Sequence, residues 1–92
     1  MLRWSFHIVI DFDAQALMRV LQPFAVRGLR PSWLLLSEQA EAFLLTAHYD
    51  DLDDQTAAQL LVRLQQMPWV RDAAINLLAA PKSALLPGGS PH

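Results

Sequence analysis

The order in which hydrophobic periodicity changes along the chain limits the fold more than any other feature of the sequence. From Trp4 to Asp11, large apolar residues occupy every second position, and this period of two predicts a β-strand. Apolar residues then recur at helical spacing from Leu17 to Phe24, behind Asp13, a favoured N-cap residue. Gly28 supplies a C′ glycine, and Pro23 should kink the helix or loosen its final turn.

The middle of the chain predicts a β-hairpin. Trp33 to Ser37 forms the second strand, and the polar run from Ser37 to Glu41 is expected to be the hairpin loop. The third strand runs from about Ala42 to Tyr49. One of its faces carries Phe43, Leu45, Ala47 and Tyr49.

A second helix and a fourth strand follow. The acidic run from Asp50 to Asp54 places negative charge where the N-terminus of a helix favours it. An apolar stripe made of Ala57, Leu60, Leu61 and Leu64 predicts the helix, and Pro68 should end it. Val70 to about Leu78 forms the last strand.

This order, β-α-β-β-α-β, has no internal linker and fits one domain of a 92-residue chain. Right-handed crossovers convert it into a four-stranded antiparallel sheet with both helices on one face, the ferredoxin-like α+β fold. We place the domain at residues 1–79 and expect residues 80–92 to form a disordered tail. The helix-free face of the sheet should carry Ser5, His7, Val9, Leu44, Thr46 and His48.

The second strand is unusual because it is apolar on both faces, reading Trp33-Leu34-Leu35-Leu36. The whole chain is 53% hydrophobic and only 17% charged, which is more apolar material than so small a core can hide. Large exposed apolar patches usually mark partner sites. We therefore predict a homodimer with Trp33 and Leu35 in its interface.

Composition also excludes several classes of function. A net charge of −2 does not supply the excess of positive charge with which proteins bind nucleic acid. The absence of cysteine removes disulfides, thiolate metal sites and cysteine nucleophiles. The apolar runs are shorter than the ~20 residues that a bilayer span needs, and Met1 to His7 lacks a signal-peptide pattern. We expect a cytoplasmic protein that binds neither nucleic acid nor membrane.

No residue pattern predicts catalysis. His7 and His48 fall on neighbouring strands with the same outward parity, but the pattern supplies no third metal ligand. The Asp50 to Asp54 run lacks the alternating ligands and the glycine of a calcium loop, and Asp11 and Asp13 lack a cleft. Phosphate loops, serine elbows and zinc-protease motifs are also missing. We expect no cofactor, no metal and no enzymatic activity of the chain's own.

Two segments resemble a known family. The stretch from Phe12 to Leu29, with Arg19-Val20-Leu21 and the closing Arg27-Gly28, looks like the strand-to-helix segment of an ACT domain. More narrowly, it resembles the short, single-domain regulatory subunit of acetolactate synthase. A second match, Leu60 to Met67 followed by Val70 and Ala73-Ala74-Ile75, is similar to that family's second helix and last strand. The resemblance spans roughly residues 5 to 78.

The resemblance implies a non-catalytic regulatory subunit. Its partner would be the catalytic large subunit, a thiamine-diphosphate enzyme that acts in the synthesis of branched-chain amino acids. ACT domains usually pair side by side and bind an amino acid at the seam, through the loop between the first strand and the first helix. In this chain that loop would contribute Phe12, Asp13, Ala14, Gln15 and Ala16.

The loop departs from the family's pattern at two positions. Phe12 stands where the family has Asn or Asp, and Gln15 stands where it has glycine. A phenyl ring cannot accept the ammonium group of an amino acid, and a Gln side chain crowds the backbone's approach to a ligand. Two other hypotheses therefore stay open beside the regulatory subunit. The chain is a stand-alone sensor of an amino acid or another small metabolite, or it is a plain dimerisation module.

Overall fold

Residues 2–79 are the part of the chain that the computed structural model describes, and they form four strands and two helices. These are β1 (Leu2–Asp11), α1 (Ala14–Ala25), β2 (Trp33–Gln39), β3 (Ala42–Leu52), α2 (Asp54–Gln65) and β4 (Val70–Ala79). The strands form one antiparallel sheet in the order β2-β3-β1-β4. The predicted ferredoxin-like fold is therefore confirmed, and the predicted tail lies outside the described residues.

The core lies between the sheet and the two helices, and three aromatic rings form its centre. The Phe6 ring meets the Phe24 ring edge-on at 5.0 Å and the Tyr49 ring edge-on at 5.8 Å. The Phe24 and Tyr49 rings stack at 4.4 Å, which ties α1 to β3 across β1. Each such burial stabilises the fold by about 1.5–3 kcal/mol relative to an exposed side chain. The other fully buried apolar side chains include Ile8, Ile10, Val20, Leu45, Leu60 and Leu64.

The predicted helix-free face is confirmed by the strand register. Ser5 pairs with His48, His7 pairs with Thr46, and Val9 pairs with Leu44. Cross-strand partners lie on the same face, so these six side chains form one surface opposite the helices.

The C-terminus of α1 confirms the predicted C′ position of Gly28. The Gly28 amide donates to the carbonyl of Ala25, and the Leu29 amide donates to the carbonyl of Phe24. This pair of bonds is a Schellman motif with Gly28 at C′, where φ is +73°. The motif directs the partly buried Leu29 back onto the core.

The predicted hairpin loop was too long. Ser37 to Gln39 belongs to β2, and only Ala40 and Glu41 form the turn. The Gln39 and Ala42 pair closes the ladder immediately beside this turn. The prediction was wrong because it assigned the polar residues Ser37 to Gln39 to a loop, whereas an exposed edge strand accepts polar residues as readily as a loop does.

The acidic run was also only partly a helix start. Asp50 and Asp51 lie in β3, where they form a bulge opposite Arg3 with Asp51 at φ +58°. The bulge shifts the alternation of the strand, so that Leu52 enters the core. Asp53 is the N-cap of α2 and accepts a 2.7 Å bond from the Thr56 amide. Hydrogen bonding from the Thr56 side chain, and then from its amide, lowers the pKa of the Asp53 carboxyl.

Asp13 occupies the predicted N-cap position of α1, but its side chain makes no capping hydrogen bond. Its backbone carbonyl accepts the first helical bond, from the Leu17 amide. The predicted role of this carboxylate as a cap is therefore wrong.

Gly28→Ala should destabilise the domain by about 1–2 kcal/mol, because a Cβ at this left-handed φ is strained. Nothing lies within 4 Å of the Cβ position, so a clash adds no further cost. Urea denaturation measures the change. Gly28→Asn is the control and should cost less, since Asn tolerates this conformation. An Ala variant as stable as the parent would contradict the assignment.

Burial raises the pKa of Tyr49 to about 12, whereas an unfolded tyrosine titrates near pH 10. The stabilisation that comes from this neutral phenol should be complete below pH ~10 and lost as pH rises toward 12. Tyr49 is the only tyrosine, so its absorbance at 295 nm reports this group alone. Tyr49→Phe should remove that signal and flatten the alkaline loss of stability. A folded-state titration near pH 10 would refute the prediction.

Candidate functional site

The edge strand β2 presents apolar side chains on both of its faces. Trp33 and Leu35 pair with His48 and Thr46 and so share the helix-free face. Leu34 and Leu36 point to the helix side, yet they are also exposed, because α1 packs on β1 and α2 packs on β4. All four side chains are between 38% and 53% exposed. Within residues 2–79, β2 therefore has two uncovered faces and an unpaired edge.

The opposite edge of the sheet is built differently. The pairing of β4 with β1 shifts register at two places, and the strand carries Arg71, Asp72 and Asn76. Bulges and charged side chains are the usual protection of an edge strand against pairing with another chain. The pairing of β2 with β3 is regular from Trp33 to Gln39, and its first four residues are apolar. Leu77 and Leu78 are also exposed on β4, but of the two edges β2 has the more regular pairing and the longer run of exposed apolar residues.

One end of β2 is held in place by aromatic packing. The Trp33 ring stacks on the His48 ring at 4.6 Å and 30°. The His48 carbonyl accepts bonds from the amide and hydroxyl of Ser32, at 2.8 and 3.2 Å. This packing gives the exposed Trp33 ring a fixed position.

His7 and His48 lie on the same face, as predicted, and each contacts a neighbour. His7 Nε2 lies 3.0 Å from Ser5 Oγ, and His48 stacks on Trp33. No three His, Asp or Glu side chains of residues 2–79 are grouped to hold a metal ion. The observed partners give both imidazoles a structural role.

The end of β1 is tied to the rest of the sheet through Arg71. Its guanidinium donates to the Asp11 carboxylate at 2.9 Å and to the Glu41 carbonyl at 3.0 Å. The Asp11 amide donates to the carbonyl of Trp69, also at 2.9 Å. The end of β1, immediately before the loop, is therefore tied to both β4 and the β2–β3 turn.

The predicted ligand-binding residues do not all reach the surface. Phe12, Asp13, Ala14 and Gln15 are exposed, whereas Ala16 is buried in the core. The Phe12 ring packs on the Phe43 ring at 4.8 Å. The amides of residues 14 to 16 donate to no acceptor among residues 2–79, because the Asp13 side chain does not cap them. These amides are suited to a carboxylate.

The two predicted sites, the loop and the β2 edge, are separate. Phe43, beside the loop, pairs with Glu38 near the turn end of β2, whereas Trp33 at the other end pairs with His48. Five residues of strand separate Phe43 from His48, which corresponds to about 16 Å. The structure therefore offers two surfaces and not one combined site.

Sequence reasoning missed a third feature, a shallow and open surface groove of about 410 Å³ on the outer side of α2, beside the end of α1. Its lining consists of Arg27, Ala58, Gln59, Val62, Arg63 and Gln66. In the sequence, Arg27 stands out only as part of the family resemblance. The spacing of Ala58, Val62 and Gln66 is the signal that would place them together on one exposed helix face. We call this feature the arginine groove.

Neither helix of the described residues is long and apolar enough to cross a bilayer. The chain matches no protein-family model and no curated protein. A solved structure with a similar backbone is the C-terminal domain of the MgtC protein from Mycobacterium tuberculosis, determined in solution. It superimposes with a TM-score of 0.65 over 84% of this chain and 87% of that chain, at 13% identity. This likeness supports the fold alone, and the resemblance to the acetolactate synthase subunit stays a prediction.

Proposed function

We propose that the chain is a non-catalytic regulatory subunit that pairs with a second copy through β2 and acts on the catalytic subunit of acetolactate synthase in the cytoplasm. The observation that carries the proposal is the run Trp33 to Leu36, exposed on both faces of an unprotected edge strand. The choice of catalytic partner rests on the resemblance of residues 12 to 29 and 60 to 75 to that family.

The pairing follows from the geometry of the edge. Two antiparallel β2 strands related by a two-fold axis would join the four-stranded sheets into one of eight strands. The joining satisfies the backbone groups of both edges and packs Leu34, Leu35 and Leu36 of each copy beside cross-strand neighbours, which removes part of their surface from water. The same residues left open would be an aggregation hazard, which favours an obligatory partner.

The regulatory action needs no pocket in this chain. A dimer that docks on a catalytic subunit stabilises whichever conformation of that subunit it binds more tightly. To shift the equilibrium between two conformations of the catalytic subunit, the dimer only needs to bind one of them more tightly than the other. The chain would thereby modulate catalysis while contributing no reacting group.

Leu35→Lys should convert the dimer to a monomer that remains folded, because it places a charge in the paired strands. We expect the dissociation constant to rise at least about tenfold, measured by light scattering across a dilution series. Leu35 is preferable to Trp33 for this test, since Trp33 also stacks on His48 within its own chain. Leu77→Lys is the matched control, because Leu77 is equally exposed at 53% but lies on β4.

Capture from the native cytosol tests the catalytic partner. The tagged parent chain and Leu77→Lys should both co-purify a thiamine-diphosphate large subunit, identified by mass spectrometry, and the captured enzyme's activity should respond to added chain. Capture of no such enzyme would refute the acetolactate synthase part of the proposal. A Leu35→Lys protein that stays dimeric with a lower melting temperature would show that Leu35 is core and refute the β2 interface.

A second candidate function, sensing of an amino acid, is favoured by one observation. The Asp13 carboxylate makes no capping bond, and the amides of residues 14 to 16, which follow it in sequence, have no acceptor among residues 2–79. A carboxylate next to unpaired amides matches the ammonium and carboxylate ends of an amino acid. Phe12 and Gln15 flank this position and limit the room for a ligand.

If the loop senses an amino acid, calorimetry against the twenty standard amino acids should give saturable heat for at least one of them. Asp13→Ala should then weaken binding about tenfold or more, since the ammonium group loses its carboxylate partner. Asp72→Ala, an exposed aspartate on β4, is the control and should bind normally. Absence of saturable heat across the panel would exclude this function, and a dimer without enzyme or ligand would favour the plain dimerisation module.

A further inference from the structure

The arginine groove runs along the outward side of α2. Ala57, Leu60 and Leu64 turn the opposite side of the helix into the core, which leaves Ala58, Val62 and Gln66 facing out. Val62 is 50% exposed, so the groove has an apolar floor. Arg27 approaches from the end of α1 and Arg63 from α2, so the two guanidinium groups come from different elements.

The position of Arg27 follows from the way α1 ends. The Arg27 amide donates to the Phe24 carbonyl and not to the Pro23 carbonyl four residues back. The Pro23 carbonyl, without that helical partner, accepts a 3.3 Å bond from Nη1 of Arg27. One nitrogen of the guanidinium is thus anchored, while its other donors remain available at the groove.

Two arginines of residues 2–79 are paired with carboxylates, and the two arginines at the groove are not. The ion pairs of residues 2–79 engage Arg3 with Asp50 and Arg71 with Asp11, both on the sheet. Arg27 and Arg63 have no carboxylate within 4 Å among these residues, although the chain as a whole carries a charge of −2. Both arginines also lie near helix C-termini, where a cation is favoured, but that interaction uses none of their hydrogen-bond donors.

We propose that the arginine groove docks an acidic segment of a partner protein. Carboxylates of that segment would bind Arg27 and Arg63, and one of its apolar side chains would pack against Val62. Arginine presents a planar fork that matches a carboxylate. A protein segment supplies both the charges and the apolar contact, whereas a small inorganic anion would leave Val62 unused. The groove lies on the helices and β2 lies at the sheet edge, so a β2-paired dimer would offer two grooves. The proposal rests on the proposed function only in that the partner would be the regulated enzyme.

Fluorescence anisotropy with a labelled twelve-residue peptide, composed of alternating Glu-Glu and Leu-Leu pairs, tests the groove. The full chain should bind this peptide saturably and more weakly as NaCl rises from 50 to 300 mM. The Arg27→Gln, Arg63→Gln double variant should bind about tenfold more weakly or worse, and Val62→Ser should also weaken binding. Arg30→Gln removes an arginine that does not line the groove, and it should bind within about twofold of the parent.

Several results would overturn the proposal. The proposal fails if the parent chain does not bind the peptide saturably, or if the double variant binds it as tightly as the parent. It also fails if Arg30→Gln weakens peptide binding as much as the double variant does, because the attraction would then come from the overall charge of the surface. Complete competition by inorganic phosphate together with an unaffected Val62→Ser would assign the groove to a small anion. The double variant should remain dimeric, so failure of the groove is distinguishable from failure of the β2 interface. Failure of the parent chain to capture the catalytic subunit would count against the proposed function and leave the peptide result standing.

Discussion

The burial of one face of β1 is the constraint on which the rest of this structure depends. Phe6, Ile8 and Ile10 are fully buried, and β1 is the strand that pairs with both β3 and β4. Its side chains fix the register of both neighbours, since a slip of one residue would turn all three apolar groups to the opposite face. The packing of Phe6 against Phe24 and Tyr49 then sets where α1 lies above the sheet. A chain of 92 residues has little other core with which to correct an error at this strand.

The exposed edge is a consequence of the same arrangement. Two helices of 12 residues each cover the central strands and β4, and little helical surface is left for β2. An apolar edge strand without cover is unstable in isolation, because its backbone groups and its side chains both favour association. The proposed dimer follows from this shortage of covering structure. It explains why a domain with a well-packed core still exposes Trp33, Leu34, Leu35 and Leu36.

The distribution of charge separates two kinds of contact. The sheet keeps its ion pairs internal, where Arg71 fastens the end of β1 and Arg3 holds the bulge of β3. The helices instead present arginines without a described carboxylate partner beside an apolar floor. Apolar strand addition and charged docking would occur on different surfaces.

The sequence by itself determined the order of the elements, which faces of β1 and β3 are buried, and the surplus of apolar residues in β2, because each depends on local periodicity. It also determined the C′ role of Gly28, which depends on that residue's own backbone preference. It did not determine the length of the β2–β3 turn, since polar residues suit both turns and exposed edges. It also could not place Leu52 in the core, because the bulge at Asp51 arises from pairing with β1. Only the tertiary structure brought Arg27 to Val62 and Arg63. The groove forms where the chain that leaves α1 lies beside α2, which depends on how the helices pack on the sheet, and no spacing within either helix encodes that distance.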